Sequence, residues 1–161
     1  MAWYDRLLRR VPFVEDWNAL PRGRVELAGV VEAIDALADP LSGEACVAIE
    51  YRAWPPSTTP GMDGTVGGRA FEVQARQAVE FFLRNGAERI LVRPETGSDI
   101  AALHRDLLRR YGVNLRADVR IVPPHAMVRV VGTARTVASG ASPMRAEPFR
   151  ATLTAERIWL S

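Results

Sequence analysis

The chain of 161 residues contains no lysine, and all 21 of its basic residues are arginine. That absence excludes Schiff-base chemistry and a lysine general base, and it leaves no lysine to accept acetyl or ubiquitin. A single cysteine, Cys46, excludes an internal disulfide framework and any multi-cysteine zinc site. Only His104 and His125 are available as imidazole ligands or bases. No apolar run reaches the length needed to cross a bilayer, and Met1-Ala2-Trp3-Tyr4-Asp5-Arg6 is not followed by a signal-peptide core. A cytoplasmic location is therefore expected. The glycines form neither a Walker A loop nor a Gly-x-Gly-x-x-Gly turn, and there is no Gly-x-Ser-x-Gly elbow. These gaps disfavour nucleotide hydrolysis, dinucleotide binding and serine hydrolysis, and neither a cofactor nor a metal is expected.

What is present is ordinary for a folded domain. Hydrophobic residues make up 48% and charged residues 25%, enough to bury a core in one domain of this length. Nineteen acidic residues offset the arginines to a net charge of +2, a weak basis for a nucleic-acid partner.

Residues 2–11 place Trp3, Leu7, Leu8 and Val11 at near-helical spacing opposite Arg6, Arg9 and Arg10, and Pro12 stops the pattern. This predicts a short amphipathic helix followed by a connector to Pro21. From Gly23 the period changes to two and predicts a strand through Val31. The turn cluster Asp39-Pro40-Leu41-Ser42-Gly43 leads into a second strand, Glu44 to Trp54, expected to pair antiparallel with the first. Residues 55–68 hold three prolines and four glycines and predict a surface loop, which includes Met62 and Asp63.

Residues 69–84 fit both a strand and a helix period. The dipeptide Asn85-Gly86, set between Glu80-Phe81-Phe82-Leu83 and Arg89-Ile90-Leu91-Val92, favours a hairpin whose first strand begins as early as Phe71. A helix is expected over 98–111, with Ser98 as N-cap, Ile100, Leu103, Leu107 and Tyr111 as the buried stripe, and Gly112 as the stop. His104 lies off that stripe and is expected in solvent, and Asp106 is placed to pair with Arg110. Further strands are expected at 119–122, 127–134 and 148–160.

Cys46 is flanked by strand residues and reads as a small buried hydrophobe. Glu26, Glu32, Glu50 and Glu72 alternate with apolar residues and read as the wet face of a sheet, not as an acid/base pair. Small antiparallel barrels bind single-stranded nucleic acid through aromatic platforms set among basic residues. Arg52 and Trp54, with Arg69 and Phe71 across the long loop, are the candidates for such a surface. Aromatic residues are only 7% of the chain, and several must fill the core.

The order of motifs resembles one family. Gly29-Val30-Val31-Glu32-Ala33 and Asp39-Pro40-Leu41-Ser42-Gly43-Glu44-Ala45-Cys46-Val47 are similar to the opening of the GIDE-type domain. That is the OB-like domain of MAPL-type mitochondrial ubiquitin ligases and their bacterial relatives. The strand–turn–strand from Glu80 to Pro94 and the strand–proline turn–strand from Val119 to Gly132 continue the pattern, which spans residues 24–160. The resemblance implies an OB-like barrel that recognises a partner. The sequence carries neither RING cysteines nor transmembrane helices, so ligase activity is not carried over.

The expected fold is mainly β with minor α. It is an OB-like antiparallel barrel of five to seven strands with a packed helix over 98–111 and a short N-terminal amphipathic helix. Residues 1–21 form the helix and connector, and 22–161 a single β domain. The expected function is a non-catalytic module that recognises another protein through the 55–68 loop and the N-terminal helix. Its candidate binding residues are Arg52, Trp54, Met62, Asp63, Arg69 and Phe71, with Trp3, Leu7 and Arg10 as an N-terminal contact surface that would also serve peripheral membrane contact. The alternative is a single-stranded nucleic-acid binder.

Overall fold

Along Gly23–Ala33 (β1) every second side chain from Val25 to Val31 is buried and those between are not, the pattern of a strand with one face on a core. The computed structural model describes residues 11–56, 72–137 and 149–161. Among them follow β2 (Leu37–Ala38), β3 (Ala45–Cys46), β4 (Ala48–Trp54), β5 (Val73–Ala78), β6 (Phe81–Asn85) and β7 (Glu88–Pro94). The helix α1 (Ile100–Tyr111) and strands β8 (Arg116–Val122), β9 (Met127–Thr136) and β10 (Ala151–Leu160) complete them. The expected N-terminal helix lies outside the described residues.

Five strands close into a barrel in the order β1-β6-β7-β10-β9. Counted along the chain, the ring runs first, second, third, fifth, fourth, which is an OB-like Greek key. The expected barrel and packed helix are both present. One pairing departs from the expected antiparallel arrangement, because β7 and β10 run parallel. β1 is long enough to serve two neighbours, pairing β9 along Gly23–Val30 and β6 along Val30–Ala33. Gly132 makes one closure possible: a Cβ there would lie 2.3 Å from the Thr154 carbonyl oxygen of β10.

The barrel encloses Val25, Leu27, Val31, Phe81, Leu83, Ile90, Val92, Val128, Val130 and Leu153, all fully buried. Each such side chain contributes about 1.5–3 kcal/mol by leaving water. Trp17, in a short 3-10 turn of the connector, joins the same cluster.

Two long connections build a second layer. Residues 34–80, between the first and second barrel strands, carry β2 to β5, and residues 95–126 carry α1 and β8. Together they form an open sheet of order β5-β4-β8. The predicted pairing of Gly23–Val31 with Glu44–Trp54 is therefore wrong, since β4 pairs β5 and β8 and makes no ladder with β1. Cys46, Ile49, Tyr51, Ala53, Ile100 and Leu107 form a separate core between this sheet and α1.

Local signals are mostly realised, with shifts. The described part of residues 71–83 holds no helix: Val73–Ala78 is β5 of the open sheet, and β6 of the barrel begins at Phe81. The β6–β7 hairpin forms, but Asn85 pairs Glu88, so Gly86-Ala87 and not Asn85-Gly86 occupy its turn. Gly86 takes φ +60 while Asn85 and Ala87 stay at negative φ, the signature of a type II′ turn. The helix cap is Asp99, not Ser98: its carboxylate accepts from Ala102 N–H at 3.1 Å. The Gln77 side chain on β5 accepts from Ile100 N–H at 3.0 Å and ties the helix start to the sheet. Asp106 pairs with Arg109 and not with Arg110.

Candidate functional site

Of the candidate binding residues, Arg52 and Trp54 fall within the described structure. Met62, Asp63, Arg69, Phe71, Trp3, Leu7 and Arg10 lie outside it. Alternation along β4 turns Ile49, Tyr51 and Ala53 toward α1 and leaves Glu50, Arg52 and Trp54 on the opposite, solvent side. The register then fixes their neighbours. Glu50 sits between Arg76 of β5 and Arg120 of β8, Arg52 between Gln74 and Asp118, and Trp54 beside Arg116. Arg76 reaches Glu50 at 3.3 Å, and Arg52 reaches Glu72 at 3.9 Å. Both pairs are solvent-facing and worth about 0–1 kcal/mol each.

The β8 side chains of this face were not among the sequence candidates. Their signal was the alternation Arg116, Asp118, Arg120 against Ala117, Val119, Ile121, with the first set exposed. Nothing local says that this strand lies beside residues 48–54.

Beneath the face, a polar contact crosses the second core. The Tyr51 hydroxyl and His104 Nδ1 are 2.8 Å apart, with their rings edge to face at 5.6 Å between centroids. Tyr51 is fully buried and His104 is 8% exposed, so the expectation of a solvated imidazole is corrected. The stripe that α1 buries includes the position next to Leu103, because a sheet covers a wider arc than another helix does. Burial raises the pKa of the Tyr51 hydroxyl. Cys46 is buried as expected, and its thiol lies 3.6 Å from the Leu37 carbonyl oxygen. Burial, assisted by the charge of Asp39, pushes that thiol up to about 11, so it stays protonated at neutral pH. Burial also raises Asp39, but hydrogen bonds from Leu41 N–H and from the Ser42 hydroxyl and N–H outweigh it and hold the carboxyl below its usual range.

The outer face of the barrel along β6 and β7 is the face on which OB folds bind oligonucleotides. Here Arg89 stacks on Phe82 with its guanidinium 4.0 Å from the ring centre, and Phe149 lies 5.9 Å from Phe82. The arginines are matched by carboxylates. Glu32 accepts from Arg84 at 2.6 Å and Arg89 at 2.5 Å, Glu88 takes Arg150 in a two-bonded fork, and Glu80 meets Arg93 at 3.2 Å. Burial raises the Glu32 carboxyl, but hydrogen bonds and charge from Arg84 and Arg89 outweigh it and hold the pKa low. The hydrogen bonds from Arg150 likewise lower Glu88. An open groove of about 510 Å³ lies further round the barrel beside β1, lined mainly by Phe13, Ala28, Val30 and Met127 with Arg84 on its rim.

No described helix is long and apolar enough to cross a membrane, and the described residues hold no group of three or more metal-ligating side chains. No family model matches the chain, and no curated protein matches it.

Proposed function

We propose that the chain is a non-catalytic protein-recognition module whose contact surface is the solvent face of the β5-β4-β8 sheet, extended by the 55–68 connection that leaves from Trp54. One observation carries this reading: a sheet face on which Trp54 stands with Arg52, Arg76, Arg116 and Arg120, interleaved with Glu50, Glu72 and Asp118. Tryptophan and arginine are the side chains that dominate binding energy at protein interfaces, and mixed charge fixes the register of a partner. The resemblance to GIDE-type domains supports the same class of function.

Single-stranded nucleic acid is the weaker reading. A strand tracking the β6–β7 face would have to displace Glu32, Glu80 and Glu88 from Arg84, Arg89, Arg93 and Arg150 before its phosphates met those cations.

The test is affinity capture with the intact chain and with Trp54→Ala and Arg52→Glu. Recovery of a specific partner is expected to fall strongly in both variants while their circular dichroism stays unchanged. Undiminished recovery by both folded variants removes the face from the assignment. A labelled oligonucleotide titrated at two salt concentrations separates the classes: no binding at low salt is expected, and binding that weakens steeply with salt would transfer the assignment to nucleic acid.

A further inference from the structure

The open sheet has two edges, and they are finished differently. Along the outer edge of β5, Ser98 N–H donates to the Arg76 carbonyl at 2.9 Å, Ala78 N–H donates to the Thr96 carbonyl at 3.2 Å, and Gln77 forms a bridge with Gly97. The Arg76–Ala78 part of that edge is covered by the chain on its way into α1. On β8 seven consecutive residues, Arg116 to Val122, pair with β4 without a register shift. Beyond that ladder, the one backbone bond that β8 makes to a described residue is from Val47 N–H to the Val122 carbonyl. Among the described residues nothing pairs with its other edge, which carries no proline and no register shift to blunt it.

Edges that must stay single are commonly guarded by charge of one sign, which repels a second strand. β8 instead alternates Arg116, Asp118 and Arg120, all exposed and none ion-paired to a described residue. The sequence is self-complementary when run antiparallel about Val119. Asp118 then faces Arg120 of the second copy, and the two-fold repeats the match, giving two opposite-charge pairs. Ala117 faces Ile121 on the other side of the sheet, Val119 faces itself, and all seven residues of β8 are used. Moving the axis to Asp118 sets that residue against itself and Arg116 against Arg120. Moving it to Arg120 sets two arginines together. Opposite-charge cross-strand pairs stabilise a register, and like charges directly opposite destabilise it.

We infer that two copies of this chain associate through β8, antiparallel about a two-fold axis at Val119, to make one continuous six-stranded sheet. The closed two-fold uses the same edge from both copies and leaves no template for further addition at that seam. It joins the solvent faces of the two sheets side by side, so a partner would meet a doubled surface. Edge pairing and partner binding are separate claims, because the first is read from mass and the second from capture by Trp54 variants.

The experiment is sedimentation of the whole chain over a range of concentrations, with Asp118→Arg, Arg120→Asp, and an equimolar mixture of the two variants. The natural chain is expected to show a concentration-dependent dimer. Each variant alone places like charges opposite one another twice and weakens the dimer about tenfold. In the mixture every cross-strand pair again joins opposite charges, so a heterodimer is expected at near the natural affinity. A natural chain that stays monomeric throughout overturns the inference. So does a dimer indifferent to both reversals, or one lost in both variants and not restored on mixing. The mixing step also rules out misfolding, since only folded variants can rescue each other.

Discussion

The barrel closes on itself, so each of its five strands has two neighbours, and the fully buried side chains its strands turn inward are apolar. The sheet β5-β4-β8 stays open, leans on one helix, and places a tyrosine–histidine contact inside its smaller core. Closure removes the edge problem and lets size alone fill the interior. An open sheet must satisfy buried polar groups and manage two edges, and those are the features a partner can read. On the proposed reading the two regions divide the work: the barrel carries the larger apolar core, and the sheet built from its two long insertions presents the recognition surface.

The largest effect is expected at Phe81, which is fully buried in the barrel. Phe81→Ala is expected to cost about 3–5 kcal/mol in urea unfolding and to speed hydrogen exchange across both layers. A loss below about 1 kcal/mol would mean that the barrel core is not the foundation claimed for it. Next in size is Tyr51→Phe, which removes the hydroxyl from His104 Nδ1 and is expected to cost about 1–3 kcal/mol. Its exchange signature should be local, with faster amides in β4, β5, β8 and α1 and an unchanged barrel. Adding His104→Leu should recover most of the loss, because no buried polar group is then left unmatched. Equal acceleration in the barrel would show that the two layers open as one unit.

The strands and the helix were legible in the sequence, but their division between two layers was not. Alternation in Gly23–Val31 marked a strand, another was expected at 127–134, and the hairpin across Gly86 was readable from its turn. Alternation does not say which strand lies alongside. Glu44–Trp54 follows Gly23–Val31 in the chain, and sequential strands usually pair, yet the two belong to different layers. The neighbours of Arg52 and Trp54 come from β5 and β8, the latter more than sixty residues downstream. Two candidate residues were therefore visible while the face they share was not. His104 was misplaced for the same reason, since its partner Tyr51 lies 53 positions away.

The start of α1 offers a finer test, because sequence and structure assign its cap to different residues. The Asp99 carboxylate accepts from Ala102 N–H. Asp99→Ala is expected to cost about 1 kcal/mol, read by thermal unfolding, with exchange quickened first in α1. Ser98→Ala should change stability by no more than about 0.5 kcal/mol, as an exposed position outside the cap. The reverse order of effects would restore Ser98 as the cap.

The smallest effect is expected on the outer face of the barrel. Glu32 stands on β1 against Arg84 of β6 and Arg89 of β7, so its charge ties three barrel strands across their outer face. Burial works against that charge, and the two guanidiniums more than offset it, leaving the folded-state pKa below the unfolded value. A lowered carboxyl favours the folded state wherever the unfolded chain is already ionised. That contribution is complete above the ordinary glutamate range and is lost as pH falls through the folded-state value. Stability measured from neutral to acid pH should therefore carry a downward slope that Glu32→Gln removes, with the variant less stable at neutral pH and equal to the natural chain in acid. Because Glu32 is about a third exposed, water screens the pair and the effect should fall below that of the Asp99 cap. An unchanged acid slope in the variant would show that the arginines hold Glu32 in position without drawing stability from its charge, and that the barrel rests on its interior alone.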